Sequence, residues 1–271
     1  MPELPEVEVC RLGISPHIVE QTVAEVIVRF WQLRWPIPEA VLTLKNQKVL
    51  SVERRSKYLI LKFNAGSLLI HLGMSGTIRV VNKDVEVIKH DHFELVFTNG
   101  TILRLNDPRR FGAVLWLPEH VDEQGILTKL GPEPLTDDFA HDYLFEMAKN
   151  RKTPIKTFIM NNPVVVGVGN IYANEALFLA GIRPIAAAGS ISKRRLNNLT
   201  DTIKAVLAAA ITQGGTTLKD FTQADGKPGY FAQSLNVYGR GGENCVVCET
   251  SLIEIRQSNR SSVYCPKCQK N

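Results

Sequence analysis

The segment "CVVCETSLIEIRQSNRSSVYCPKC" (residues 245–268) holds four of the chain's five cysteines. Cys245 and Cys248 are followed, after sixteen residues, by Cys265 and Cys268, the C-x2-C pair spacing of a zinc site built from two knuckles. Four thiolates complete a tetrahedral shell and leave no open coordination position, so one structural Zn2+ is expected. Between the knuckles, "SLIEIRQ" and "SVYC" alternate as strands around "SNRS", which predicts a hairpin with Arg260 at its tip. The competing reading is two disulfides in a secreted domain. It conflicts with an N-terminus that lacks the basic and apolar regions of a secretory signal, and a cytoplasmic protein is expected. Cys10 stands apart and reads as a small buried hydrophobe.

Upstream of the cysteines the pattern is helical. "DDFAHDYLFEMAKN" (137–150), "NIYANEALFLAGI" (170–182) and "SKRRLNNLTDTIKAVLAAAITQG" (192–214) carry helical spacing, with Ser192 a cap and Gly214 past the end. The glycine-rich stretch from Gly214 to Phe231 reads as a mobile loop. Further upstream the signal becomes strand. "QTVAEVIVRF", "KVLSVERRSKYLILKF", "SLLIHLG", "TIRVV", "HFELVFT", "TILRLND" and "AVLWL" are short β-branched runs separated by Gly, Asn and Asp, the pattern of an antiparallel sandwich or barrel. A short helix over 6–13, ending near Gly13, precedes them. "GPEPLTDD" (131–138) is the linker between the two regimes.

At 271 residues the chain has material for two domains. No apolar run approaches the roughly 20 residues of a membrane helix. A net charge of +5 suits a polyanionic partner without establishing one. The opening "MPELPEVE" would expose a secondary amine at Pro2 once Met1 is removed. Such an amine is a nucleophile whose reference pKa, about 7.7 to 8.0, leaves a neutral fraction near working pH.

Six stretches stand in one order: "PELPEVE" (2–8), "RRSKYL" (54–59), "HLGMSG" (71–76), "DPRRFG" (107–112), "VVGVGNIYANE" (165–175) and the cysteine hairpin. Over essentially its whole length the chain resembles the formamidopyrimidine-DNA glycosylase family of bacterial base-excision repair enzymes. That resemblance implies an α+β fold: an N-terminal β-sandwich, a helical domain with a helix-two-turn-helix motif, and a zinc-finger hairpin, with DNA in a cleft between halves. The expected boundaries are 1–128 for the catalytic sandwich, 129–152 for a linker, 153–236 for the helical domain and 237–271 for the zinc hairpin.

The resemblance also implies roles. Pro2 would attack sugar C1′ and form an imine that permits β- and δ-elimination. Glu3 would be the general acid and base, and Glu6 would orient the amine or a water. Lys57 would contact a phosphate and assist elimination, and Arg260 would enter the minor groove and grip a phosphate. His90, Arg109, Arg151, Asn170 and Tyr238 match further DNA contacts, although the family often has lysine at the position of Arg151. Met74, Arg109 and Phe111 match side chains inserted into the duplex where the damaged base is extruded. The stretch from Gly215 to Tyr230 would close over that base, with Lys219 and Lys227 as solubilising charges. The family commonly continues "PELPEVE" with Thr-Val-Arg, whereas this chain has Val9, Cys10 and Arg11, past the catalytic pair.

The expected partner is double-stranded DNA containing oxidised purines, bound by a monomer. The nearest rival is the endonuclease VIII family for oxidised pyrimidines. Its "PEGPE" start, and its lack of a comparable wedge and long loop, contrast with Leu4, Phe111 and the stretch from Gly214. A non-catalytic zinc-ribbon DNA-binding protein is the rival from another class.

Overall fold

The computed structural model describes residues 2–119, 125–215 and 235–271. The described residues of 1–128 together with 213–215 make one compact unit, and those of 129–212 together with 235–271 make a second.

The first unit begins with helix α1 (Leu4–Ile18), longer at both ends than the expected 6–13. Val7, Cys10, Ile14 and Ile18 recur at spacings of three and four and are all buried. Their burial carries the helix through Gly13 and over Pro16. Strands β1 (Val23–Val28), β2 (Ser51–Arg55), β3 (Tyr58–Phe63), β4 (Gly66–His71), β5 (Thr77–Val81), β6 (Asp91–Phe97), β7 (Ile102–Asn106) and β8 (Ala113–Pro118) follow. They form two four-stranded antiparallel sheets, in the orders β1-β6-β7-β5 and β2-β3-β4-β8.

The run "KVLSVERRSKYLILKF" is two strands rather than one. Arg55 pairs with Tyr58 across a turn in which Ser56 has φ 56°. Alternate residues of each sheet, Leu59, Leu61 and Phe63 on β3 and Phe93, Leu95 and Phe97 on β6, enter one core with the apolar stripe of α1. This is a sandwich closed by a helix. Burial also accounts for Cys10, whose thiol is pushed up to about 12 and is inert. Arg11 donates to Glu8 and to the Val52 carbonyl. The two departures from the family pattern, at residues 9 and 10, are therefore a half-buried valine and a packed thiol, while Arg11 keeps the family's residue.

The second unit contains α2 (Tyr143–Ala148), α3 (Ile155–Ile159), α4 (Asn170–Leu179), α5 (Lys193–Thr212) and a hairpin of β9 (Ile253–Gln257) and β10 (Arg260–Tyr264). Residues expected as a linker over 129–152 carry α2 and the buried Phe139 and Leu144, and α2 packs on α5. The Pro- and Asp-rich composition marks an exposed connection, but the apolar residues that follow it fold into this unit. On α5, Leu196, Leu199, Ile203, Val206, Leu207 and Ala210 form the buried stripe. Gly214, just past α5 where the chain returns to the first unit, has φ 76°. No described helix is long and apolar enough to cross a membrane.

Candidate active site

At the start of the first unit, Pro2, Glu3 and Glu6 are all buried. Glu3 is the N-cap of α1 and Glu6 its third residue, and each side chain accepts from the other's backbone N–H in a capping box. The Glu6 half measures 2.8 Å. Glu6 therefore orients the backbone next to Pro2, and it also packs against Gly215, where an added Cβ would lie 3.3 Å from Glu6 Oε1.

One turn further along α1, Glu8 reaches the Lys57 turn. Arg54 Nε donates to Glu8 Oε2 at 2.9 Å, and Arg54 Nη1 donates to the Ser56 carbonyl at 2.9 Å. Burial would raise the Glu8 carboxyl, but the hydrogen bonds from Arg11 and Arg54 prevail and hold it below the usual range. Arg54 thus fixes the turn carrying Lys57 to the helix that begins at Pro2.

His71, at the end of β4, extends this cluster. Its Nδ1 accepts the Gly73 N–H at 2.9 Å, which leaves Nε2 as the protonated, donating nitrogen. Burial, with Lys57 and Arg34 adding positive charge, pulls its pKa down to about 4, so the ring is neutral at neutral pH.

The loops bearing Met74 and "DPRRFG" are packed back to back. Gly73 has φ 65°, and a Cβ there would come within 2.4 Å of the Phe111 carbonyl carbon. Asp107, fully buried, accepts from Ser75 Oγ at 3.0 Å and from the Gly112 N–H at 2.7 Å. Arg109 N–H reaches Ser75 Oγ at 3.3 Å. Met74 is half-buried, whereas Arg109 and Phe111 are exposed, and the Arg109 guanidinium lies over the Phe111 ring at 5.0 Å. The Asp107 N–H also holds the carbonyl of His90, whose φ is 76°. Met74, His90, Arg109 and Phe111 therefore share one scaffold.

In the second unit, Arg151 and Arg260 line one cavity with Lys156, Asn161 and Gln257. Arg260 opens β10 immediately after Ser258 and Asn259, which have φ 48° and 61°. Two consecutive left-handed residues are the requirement of a tight two-residue hairpin turn. Beneath it, the buried Lys156 Nζ donates to the Ser261 carbonyl and to Ser262 Oγ, each at 2.6 Å.

Asn170 opens α4, and its buried Oδ1 has no hydrogen-bond partner among the described residues. On the same helix, the buried Glu175 accepts from the backbone N–H groups of Asn236, Val237 and Tyr238 at 2.8 to 3.0 Å. Asn174 Oδ1 takes the Val263 N–H. Helix α4 thereby fixes both Tyr238 and the zinc hairpin.

The four Sγ atoms of Cys245, Cys248, Cys265 and Cys268 lie within 4.8 Å of one another. The Cys245–Cys268 and Cys248–Cys265 separations are 3.9 and 3.5 Å. Zn–S bonds of about 2.3 Å at tetrahedral angles require sulfurs about 3.8 Å apart. The cluster therefore fits one zinc ion, closed to substrate, whose role is to hold the hairpin.

Asp107, His71, Lys156 and Glu175 were missed as individual residues by sequence reasoning. Asp107, His71 and Glu175 stood inside quoted motifs, but a buried acid or imidazole has no sequence mark apart from its neighbours. Gly215 is the only described residue of the expected closing loop, so Lys219 and Lys227 lie outside the described residues, as does Met1.

Family comparisons agree with this anatomy. Residues 1–114 match the formamidopyrimidine-DNA glycosylase N-terminal domain, 130–222 the H2TH domain of the same glycosylase, and 242–271 a zinc finger found in FPG and IleRS. The chain is 70% identical over 271 residues, all of both chains, to formamidopyrimidine-DNA glycosylase of Colwellia psychrerythraea. It is 59% identical over 270 residues to that of Idiomarina loihiensis, again covering both in full. Among solved structures, the Thermus thermophilus protein aligns with TM-score 0.89 at 34% identity, covering 99% of this chain and 98% of that one. The Lactococcus lactis protein in complex with abasic-site DNA aligns with TM-score 0.91 at 30% identity, covering 99% and 100%.

An N-terminal β-sandwich, an H2TH unit and a zinc hairpin define a class of base-excision repair DNA glycosylases. The chain belongs to the formamidopyrimidine-DNA glycosylase family, whose members are bifunctional glycosylases and lyases.

Proposed function

We propose that the chain excises oxidised purines, chiefly 8-oxoguanine and formamidopyrimidines, from duplex DNA through an imine on Pro2. The observation that carries this reading is the buried Pro2, Glu3 and Glu6 group at the head of α1, tied through Glu8 and Arg54 to the turn bearing Lys57.

After removal of Met1, the Pro2 nitrogen bonds to sugar C1′ as the base departs with its bonding electrons. Glu3 takes up the amine proton and delivers a proton to the ring oxygen O4′ as the C1′–O4′ bond breaks, which opens the sugar and leaves an iminium between Pro2 and C1′. The iminium acidifies the C2′ proton, so its removal expels the 3′ phosphate, and a further elimination expels the 5′ phosphate. Lys57 neutralises phosphate charge during these steps, and the neutral His71 offers an N–H beside it. Met74, Arg109 and Phe111 fill and wedge the duplex around the extruded nucleotide, which offsets a few kcal/mol of unstacking. His90, Arg151, Asn170, Tyr238 and Arg260 hold the backbone, the last on a hairpin kept rigid by zinc. The enzyme acts as a monomer in the cytoplasm, at the nucleoid.

Lactococcus lactis relatives have been solved with Fapy-dG DNA and with DNA containing an oxidised pyrimidine, which favours oxidised pyrimidines as a secondary substrate class here. Borohydride trapping on an 8-oxoguanine duplex, with mass mapping of the cross-linked peptide, tests the reading. A cross-link at Pro2 is expected. No cross-link from protein beginning at Pro2, with a cross-link on an oxidised-pyrimidine duplex, would reverse the substrate preference, and failure on both would remove the imine mechanism.

A further inference from the structure

In the β1-β6-β7-β5 sheet, Phe93, Leu95, Leu103 and Leu105 face the core, so Glu94, Arg104 and Asn106 fall on the opposite face. That face is charged and yet closed to solvent. Arg104 lies between Glu94 and Asp91, and all three are buried. Arg104 Nε donates to Glu94 Oε1 at 2.5 Å, while Arg29 and Arg79 complete the pairs on Glu94 and Asp91 at 2.9 and 2.7 Å. Asp91 joins them through a break in register: it pairs with Asn106 and Phe93 pairs with Leu105, so β6 carries one residue more than β7. Such a bulge re-aims a side chain.

Loop 82–90 covers this face, and it is held by its backbone. Arg104 Nη1 donates to the Val85 and Glu86 carbonyls at 3.1 and 2.9 Å, and Asn106 Nδ2 to the Lys89 carbonyl at 2.9 Å. Asp91 Oδ2 accepts the Ile88 N–H at 2.9 Å, and Asn106 Nδ2 also donates to Asp91 Oδ1 at 2.9 Å. The loop's apolar side chains are left outside: Val85, Val87 and Ile88 are 39%, 47% and 53% exposed. Apolar cover for the sheet was thus at hand, and buried ion pairs in its place add little net stability. What a satisfied buried network does supply is a single backbone arrangement. The backbone fixed here runs directly into His90, which has φ 76° and whose carbonyl accepts the Asp107 N–H at 3.0 Å.

We propose that Asp91, Arg104 and Asn106 are positioning residues for DNA binding, holding loop 82–90 by its backbone so that His90 meets the duplex already in place. The inference rests on the reading of His90 as a DNA contact. A loop ordered beforehand loses no freedom on binding, whereas a released loop must be ordered at each encounter.

The test is a double-mutant cycle on the full zinc-loaded chain, read as dissociation constants for a duplex carrying a tetrahydrofuran abasic analogue. His90→Ala should weaken binding about tenfold, the loss of one hydrogen bond to a phosphate. Asn106→Ala removes the Lys89 anchor and one donor to Asp91, and should weaken binding about fivefold. The double variant should stay at about tenfold, because the anchor positions nothing once the imidazole is gone, whereas independent effects would multiply to about fiftyfold. Urea unfolding checks that each variant is folded under the binding conditions, and Asn106→Ser enters the cycle if Asn106→Ala is not. Val87→Ser alters an exposed side chain and no anchor, and should bind within about twofold of wild type. Losses that multiply would overturn the proposal and leave His90 a DNA contact. So would a loss in Val87→Ser as large as that in Asn106→Ala, which would put the contact in the loop's own side chains. Wild-type affinity in His90→Ala would instead remove the reading of His90, and the proposal with it.

Discussion

The Phe111 loop of the first unit and the Arg260 turn of the second meet the same demand by different means. Each presents a basic side chain from left-handed backbone: Arg110 at φ 56° between Arg109 and Phe111, and Ser258 and Asn259 at 48° and 61° before Arg260. Ser56 before Lys57, His90 itself, and Asn150 before Arg151 repeat the pattern at 56°, 76° and 61°. Strain of this kind persists only where the surroundings over-determine it. In the first unit the restraint is a buried carboxylate, Asp107, collecting donors from two loops. In the second it is a metal cluster, a buried lysine and helix α4. A sandwich core can supply buried hydrogen bonds to a loop, whereas a hairpin of two short strands has little core of its own and depends on the metal.

Removing zinc should break this comparison most visibly. Structural zinc contributes on the order of 10 kcal/mol to such small elements. Chelation is expected to abolish DNA incision and to strip hydrogen-exchange protection from β9 and β10, with β3, β4 and β6 still protected. Loss of protection in both units would mean that the restraints are not independent.

Asp107→Ala should be the largest single-residue effect in the first unit. It leaves the Gly112 N–H and the Ser75 hydroxyl unpaired in a buried site, at a cost of about 3 kcal/mol. Urea unfolding would measure it, and a loss under about 1 kcal/mol would show that the loop does not depend on the carboxylate. Asp107→Asn, which retains one acceptor, should fall between.

The sandwich, the helices and the zinc hairpin were legible because each rests on periodicity or spacing: alternation in β3 and β6, the stripe on α5, and the paired C-x2-C knuckles. The limits of α1 were not, since Gly13 and Pro16 oppose a helix that the burial of Ile14 and Ile18 sustains. The break at Ser56 inside one apolar run escaped notice because the turn contains no glycine. Pro2, Glu3, Lys57 and Arg260 were named through motifs, whereas the groups that position them depend on partners far away in sequence. Glu8 and Arg54 are one such pair, and Lys156 and Ser262 are another.

A pH series sharpens the electrostatic side of the comparison. His71 has a folded pKa of about 4, below its ordinary 6.5. Between those values the unfolded chain binds more protons than the folded one, so stability rises with pH through this window and is complete above it. Acidification from pH 7 to 4 should therefore cost up to about 3 kcal/mol at this residue. His71→Asn, which retains an acceptor for the Gly73 N–H, should flatten that part of the profile in urea unfolding. An unchanged profile would mean that His71 does not resist protonation.

The smallest effect bears most directly on why strain is kept. His90→Gly releases a left-handed conformation but adds freedom to the unfolded chain, for a net gain of about 0.5 kcal/mol. Asn259→Gly at the hairpin should be nearly neutral, because asparagine already tolerates φ 61°. Thermal melting would give the first pair of numbers, and affinity for an abasic-analogue duplex the second. If His90 is retained for DNA, its glycine variant gains stability and loses affinity, while Asn259→Gly changes neither. If His90→Gly loses stability instead, the imidazole's packing against His92 outweighs the backbone strain, and the residue belongs to the fold rather than to the interface.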